Sequence, residues 1–388
     1  MDYTKSNKIF MIKKSLRYIK LYGLSRTFVK IRAQYHMKKS YAELPKINEK
    51  FSHNNKNIGL IGCGNYAYSN IAYYLNQKSK NLIRACMDIN LNVSASLFEK
   101  YGLDFYTDDI NDIILDDKID TVYIASNHAS HAEYAIDCIY AKKNVHIEKP
   151  HVVNESQLSR LHKAIEDNPG VNVFLGFNRP RSKLFRELCG HLNKEKGPIM
   201  INWFIAGHEI PDDHWYFDDA EGGRILGNLC HWTDLTLHLV GLKNAFPCKI
   251  TPSTPKGAKS DFVVSVVFGD KSCATITFSA KGHTFEGVRE VLNVHKGNLL
   301  GNINDFGEMT LDINEKQIKR KLLFRDHGHK INIINSIKNK NGENPEYIYM
   351  TAKFFLAIKN AVDNGKVIEL SYEEASGNIH NNPGDKLK

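Results

Sequence analysis

From residue 57 onward the chain alternates short apolar runs with stretches of helical period. Ile58–Gly62, Leu82–Asp88, Thr121–Ala125 and Val145–Glu148 read as strands. Tyr66–Asn76, Val93–Tyr101 and His131–Ala141 read as the helices between them. Strands and helices alternating at this spacing predict βαβ units and a doubly wound parallel sheet. After residue 150 the pattern changes. Val171–Phe177 and Ile199–Ala206 read as strands, and Gly227–Leu239 as a helix. Phe262–Phe268, a Gly269–Asp270 turn, Cys273–Ala280, Val288–Val294 and a stretch around Met309–Ile313 predict antiparallel hairpins. Asn344 before Pro345 starts a helix that Gly365 ends.

The first forty residues follow a different rule. Ile9, Ile12, Leu16 and Ile19 recur at spacings of three and four, with Lys13, Lys14, Arg17 and Lys20 elsewhere on the wheel. Gly23 is the expected stop. Ser25 is the expected cap of a second helix carrying Phe28 and Ile31. The expected organisation is therefore a basic helical arm (1–48), an N-terminal Rossmann domain (55–150), an α+β domain for substrate and oligomerisation (151–375) and a polar tail (376–388).

Charge matters once it is located. The chain has 388 residues and a formal charge of +9. Residues 1–40 hold 11 Lys/Arg and one acid, leaving 41 basic and 42 acidic residues elsewhere. A neutral body carries no electrostatic footprint for nucleic acid. A basic amphipathic arm docks its apolar stripe on its own body or a neighbouring subunit, or lies on an anionic membrane through residues 8–38. No run is long and apolar enough to span a bilayer, and no secretory signal is legible. Seven scattered cysteines without a C-x-x-C point to a reducing cytoplasm.

Gly62–Cys63–Gly64–Asn65–Tyr66–Ala67 fits G-x-G-x-x-G/A between a strand and a helix. Gly62 permits the tight turn. Gly64 lets a pyrophosphate approach the backbone beside Asn65, and Ala67 lets helix and sheet pack closely. Asp88 ends the second strand. Its carboxylate suits the ribose hydroxyls and repels a 2′-phosphate, so the expected cofactor is NAD.

Further along come Ala125–Ser126–Asn127–His128–Ala129–Ser130–His131, then Glu148–Lys149–Pro150, Gly176–Phe177–Asn178–Arg179 and Gly222–Gly223–Arg224–Ile225–Leu226–Gly227, followed by Cys230–His231. Together they resemble the Gfo/Idh/MocA oxidoreductases over roughly residues 57–370. The branch linked to surface-polysaccharide synthesis is the most similar. The resemblance implies a second domain with a large, mostly antiparallel open sheet that pairs subunits into a homodimer or homotetramer. It implies an NAD-dependent enzyme acting on a secondary hydroxyl of a sugar, with a nucleotide sugar as the expected substrate. Lys149 and His231 are then the catalytic pair. Lys149 is a buried ammonium beside the nicotinamide, and His231 is the acid/base. Ser126, His128 and His131 lie over the nicotinamide ribose, although His131 equally suits a helix cap. Glu148 orients Lys149 or binds cofactor.

Asn178, Arg179, His214, Trp215 and Asp234 are the expected substrate residues. Arg179 and Arg181 suit a phosphate or carboxylate, Trp215 a ring. Asp234 shares a helix face with His231 and could orient it, and His214 is another candidate helper. A metal on His231, Asp234 and His238 is not expected, because hydride transfer needs none. One departure stands out. Inositol dehydrogenase-like members carry D-x-x-x-H, and Gly227 occupies the Asp position here. That argues against a plain inositol or polyol dehydrogenase. It also keeps open an NAD-binding protein without turnover.

Overall fold

The computed structural model describes residues 6–47, 56–280, 287–339 and 341–376. Residues 48–55, most of the polar stretch Asn48–Asn57 expected to part the arm from the rest, and those from 377 lie outside the described residues. Two compact units divide the chain. The first comprises residues 1–152, 159–183 and 322–343, and the second 153–158, 184–321 and 344–388. The first unit thus reaches well beyond the expected boundary at residue 150.

Its sheet contains β1 (Ile58–Ile61), β2 (Ile83–Met87), β3 (Phe105–Thr107), β4 (Thr121–Ile124), β5 (Asn144–Ile147) and β6 (Val173–Leu175). The order is β3-β2-β1-β4-β5-β6, and every pairing is parallel. Strands buried on both faces read as continuous apolar runs, as β1 and β4 do. The segment from Val171, read beside the antiparallel set, instead supplies the sixth strand of this sheet. The strand order reverses between β1 and β4, which opens a crevice at their carboxyl ends.

The arm forms helices α1 (Lys8–Tyr22) and α2 (Leu24–His36). Gly23, at φ +83°, ends one and begins the other. Ser25 is therefore not the cap, and its hydroxyl bonds that of Tyr73 at 2.7 Å. The expected docking is inverted on α2. Its polar residues Thr27 and His36 are buried, while Leu24, Phe28, Ile31 and Tyr35, at spacings of four, three and four, are exposed. On α1, Ile9, Ile12 and Leu16 are exposed too. Among the described residues no helix is long and apolar enough to cross a membrane.

The second unit is built on nine strands. They are β7 (Met200–Ala206), β8 (Cys248–Pro252), β9 (Asp261–Phe268), β10 (Cys273–Ser279), β11 (Arg289–Lys296), β12 (Leu299–Asn304), β13 (Glu308–Ile313), β14 (Lys316–Lys321) and β15 (Ile368–Leu370). They run in the order β14-β13-β12-β11-β7-β10-β9-β8-β15, antiparallel except where β7 meets β10. This is the expected large, mostly antiparallel sheet. Inner residues such as Trp203 are buried, and the Trp203 indole donates to Thr236 Oγ1 at 3.1 Å on the helix Cys230–Val240. The helix Pro345–Asn364 starts as expected, with the Asn344 side chain accepting from the Glu346 amide, and ends at left-handed Gly365. The outer face is open. Met200, Phe204, Val263, Val267 and Leu300 are all exposed.

Candidate active site

The dinucleotide turn follows β1. Gly62 sits at φ +84°, and a Cβ there would lie 2.5 Å from the Ser126 amide and 2.6 Å from the Ala125 carbonyl. No other residue type fits that position without moving the β4 loop. A Cβ on Gly64 would meet nothing within 4 Å. The space over Gly64 is therefore open, which is what an approaching pyrophosphate requires. Ala67 is buried where helix meets sheet. The helix that follows begins with a π-helical turn, Ala67–Ile71, before α3 (Ala72–Lys78). The Asn65 carbonyl accepts from the Ser69 hydroxyl at 2.7 Å.

Asp88 lies just beyond β2, and its Oδ2 accepts the Cys63 amide at 2.8 Å. Its Oδ1 accepts the Asn90 amide at 2.9 Å. A carboxylate fixed this way presents negative charge at the edge of the turn, where a ribose diol fits and a 2′-phosphate does not. These features fit NAD.

Sequence reading missed a further partner of this turn. His36, at the end of α2, has Nε2 at 2.7 Å from the Cys63 carbonyl and Nδ1 at 2.9 Å from Ser96 Oγ. Its ring stacks on Tyr68 at 4.3 Å. Burial holds its pKa below the ordinary value. The only hint in the sequence is that His36 lies off the apolar stripe.

At the ends of β4 and β5, Ser126 Oγ accepts from Ser130 Oγ at 2.7 Å. His131 is buried with Nδ1 at 2.9 Å from the Pro150 carbonyl and Nε2 at 3.1 Å from the Ser126 carbonyl. Burial also lowers its pKa. A neutral ring carries one N–H and donates to one of these two carbonyls, and the imidazole sits between the Ser126 loop and the Lys149–Pro150 turn. His128 begins the helix His128–Tyr140, its ring 6.0 Å from that of His131. Glu148 is buried beside Gly176, where a Cβ would lie 2.6 Å from the carboxylate. The same carboxylate lies 3.6 Å from His146 Nε2, and together with burial it pushes the Tyr66 hydroxyl pKa up. Lys149 is half-buried and joined to Pro150 by a cis peptide bond. Gly62, Asp88, Ser126 and Lys149 therefore all follow the carboxyl ends of parallel strands.

Asn178 and Arg179 are buried after β6. The Asn178 side-chain amide donates to the His327 carbonyl at 2.6 Å and ties that turn to the end of β6. Arg181 pairs with Glu343 at 2.7 Å.

In the second unit, His231 is buried in the helix Cys230–Val240, which follows a π-helical turn, Ile225–Leu229, containing Gly227. Asp234 is fully buried, with Oδ1 accepting from the Tyr347 hydroxyl and Oδ2 at 3.7 Å from His238. That burial corrects its assignment to substrate. Among the described residues no group of three metal-ligating side chains occurs. His214 is half-buried, accepts the Tyr216 amide at 3.2 Å, and has its pKa lowered by burial. Trp215 beside it is 43% exposed, so its ring face can receive a planar or sugar ring. Arg224 is a residue that sequence reading left without a role. It is buried, donates to the His208 carbonyl and Asn228, and has its pKa lowered by burial.

Residues 56–177 match the Gfo/Idh/MocA model, described as an oxidoreductase family with an NAD-binding Rossmann fold. Oxidoreductase P35 of Formosa agariphila is 35% identical over 28% of this chain and 34% of its own length. Myo-inositol 2-dehydrogenase of Thermotoga maritima is 31% identical over 47% of this chain and 54% of its own. The chain thus spans between a third and about half of the length of these relatives. A levoglucosan dehydrogenase solved with NADH superposes with a TM-score of 0.70 over 81% of this chain and 99% of the other, at 18% identity. That likeness shows a shared two-sheet fold.

Proposed function

We propose that this protein is an NAD-dependent oxidoreductase acting on a secondary hydroxyl of a sugar, with a nucleotide sugar of surface-polysaccharide metabolism as substrate. The observation that carries the reading is the dinucleotide turn. Gly62 has no alternative, Gly64 faces open space, and Asp88 closes on Cys63. Gly62, Gly64 and Asp88 would hold NAD, with Ser126 and His128 at the next strand end. NAD, when bound, supplies the hydride acceptor for oxidation or the donor for reduction. Lys149 donates a hydrogen bond to the reacting oxygen and stabilises its developing negative charge. His231 takes the hydroxyl proton in oxidation and returns it in reduction. His214 and Trp215 engage the sugar.

A polyol or inositol dehydrogenase is the second reading, favoured by the name of the Thermotoga maritima relative and disfavoured by Gly227. A non-catalytic NAD-binding subunit is the third. Cofactor reduction with UDP-, GDP- and dTDP-sugars and free polyols separates the three. Lys149→Ala is expected to lower turnover at least ~100-fold, and near-wild-type turnover by that variant defeats the assignment.

We also propose that the open face of the second sheet pairs two copies. Register places Val267, Cys273, Met200, His295 and Leu300 in one row across five strands, with three large apolar residues exposed. Light scattering of Val267→Glu reads this, and an unchanged mass removes it. The outward stripes of α1 and α2 lie among the arm's lysines and suit the cytoplasmic surface of an anionic membrane. Equal sedimentation with anionic vesicles by the full chain and one lacking residues 1–48 overturns that.

A further inference from the structure

The arm carries positive charge to the dinucleotide turn. Arg26 donates to the Ser69 carbonyl and to Asn70 Oδ1, the latter at 2.6 Å. Its guanidinium lies 4.9 and 4.8 Å from the ring centres of Tyr73 and Tyr74. Lys30 follows one turn later on the same helix, hence on the same face. From another segment of the first unit, the His327 ring lies 6.1 Å from Tyr22 of the arm and 6.0 Å from His329. His329 in turn lies 6.1 Å from Tyr66 of the turn itself. Arg179 is buried next to Asn178, which holds the His327 carbonyl.

Five basic side chains from three stretches of sequence thus gather where α2 meets the dinucleotide turn. Crowding like charges away from water is unfavourable unless a counter-charge completes the site. Lys30 makes no hydrogen bond or ion pair with any described residue. Burial, and then Arg26, lower its pKa to about 7. Burial and the neighbouring His327, Arg26, Arg179 and Lys30 hold His329 well below its ordinary value. Of the nearby carboxylates, Asp326 accepts the Lys183 and Gly328 amides at 2.9 and 2.8 Å, and Glu148 lies against Gly176.

We propose that Arg26, Lys30, Arg179, His327 and His329 form a phosphate subsite beside Tyr66 that receives a diphosphate. Its assignment to a nucleotide-sugar diphosphate rests on the proposed substrate class, and the pyrophosphate of NAD is the other source of the same chemistry. Arg179 supplies a planar fork, and Lys30 a point charge that no described residue pairs with.

The test uses the full chain, inorganic pyrophosphate and UDP as probes, and titration calorimetry with and without saturating NAD. Wild type is expected to bind pyrophosphate. Lys30→Gln and His329→Gln are each expected to weaken it about tenfold or more, with unchanged circular dichroism and thermal midpoint. Binding that survives saturating NAD supports the subsite and assigns it to the substrate. Competition by NAD returns the binding to the dinucleotide turn already described and overturns the subsite. Absence of binding by wild type, or equal affinity in both folded variants, overturns it. Failure of the sugar reading shows separately, as pyrophosphate binding that depends on Lys30 without turnover of any sugar. Failure of the subsite alone shows as Lys149-dependent turnover with Lys30-independent binding.

Discussion

The dinucleotide turn and the arm that lies against it follow opposite logics. In the turn, the residues that matter are fixed by backbone geometry. Gly62 is at φ +84° with no room for a Cβ, and Asp88 takes the Cys63 amide. Such constraints act over a few residues and leave a readable signature. In the arm, the signature is an apolar stripe, and the structure turns it outward. What α2 presents to the sheet domain is His36, Thr27, Arg26 and Ser25, with Ala33 and Val29 packed into the core beside them. The difference teaches that helical periodicity reports the existence of two faces and leaves open which one is covered. Hydrogen bonds hold the polar face, and Leu24, Phe28, Ile31 and Tyr35 stay exposed.

The sharpest break of this comparison is Gly62→Ala. The added methyl would sit 2.5–2.6 Å from backbone atoms of Ala125 and Ser126, which cannot swing aside as a side chain can. A destabilisation of about 3 kcal/mol is expected, read by chemical denaturation. NAD affinity should fall at least tenfold, since the β4 loop must move. A variant within about 0.5 kcal/mol of wild type would show that the turn is not over-determined in this way.

Legibility tracked the same divide. β1, β2, β4 and β5 were readable because strands covered on both faces leave unbroken apolar runs. β14 was not, because Lys316–Lys321 is an edge strand with no buried residue, and its lysines and arginine mask a pleat defined only by pairing with β13. The segment from Val171 was visible as a strand. Its sheet was not, since parallel partnership with β5 is a long-range fact. The strand-end positions of Gly62, Asp88 and Lys149 were legible because motif and strand end coincide. His36 was invisible, because its partners Cys63 and Ser96 are distant in sequence.

His36→Ala probes the inner face of α2 and should have an intermediate effect. It strands the buried Cys63 carbonyl and Ser96 hydroxyl, for about 1–3 kcal/mol. It also carries a pH signature. Burial lowers the folded pKa of His36 below its unfolded value of about 6.5. Below that pH the unfolded chain binds the proton that the folded chain refuses, so this histidine's contribution is present above about 6.5 and lost as pH falls. Wild type should therefore lose stability from pH 7 to 5.5 more steeply than the variant. Parallel curves would remove His36 from the link between arm and turn.

Phe28→Glu probes the outer face and should have the smallest effect on folding. Phe28 is 60% exposed, one turn after Leu24 and three residues before Ile31. It has little burial to lose, and a glutamate there meets Lys and Arg neighbours in an arm whose described residues contain one acid, Glu43. Stability should stay within about 0.5 kcal/mol of wild type. Sedimentation with anionic vesicles should nevertheless fall several-fold, because the substitution removes apolar area from the inserted face and adds a charge that anionic lipid repels. Loss of stability as large as that of His36→Ala would mean that the stripe is covered by the protein itself. Unchanged vesicle binding in a stable variant would mean that the stripe faces something other than lipid. The two faces of α2 are told apart by which of two measurements each substitution moves: denaturation for the polar face, partition for the apolar one.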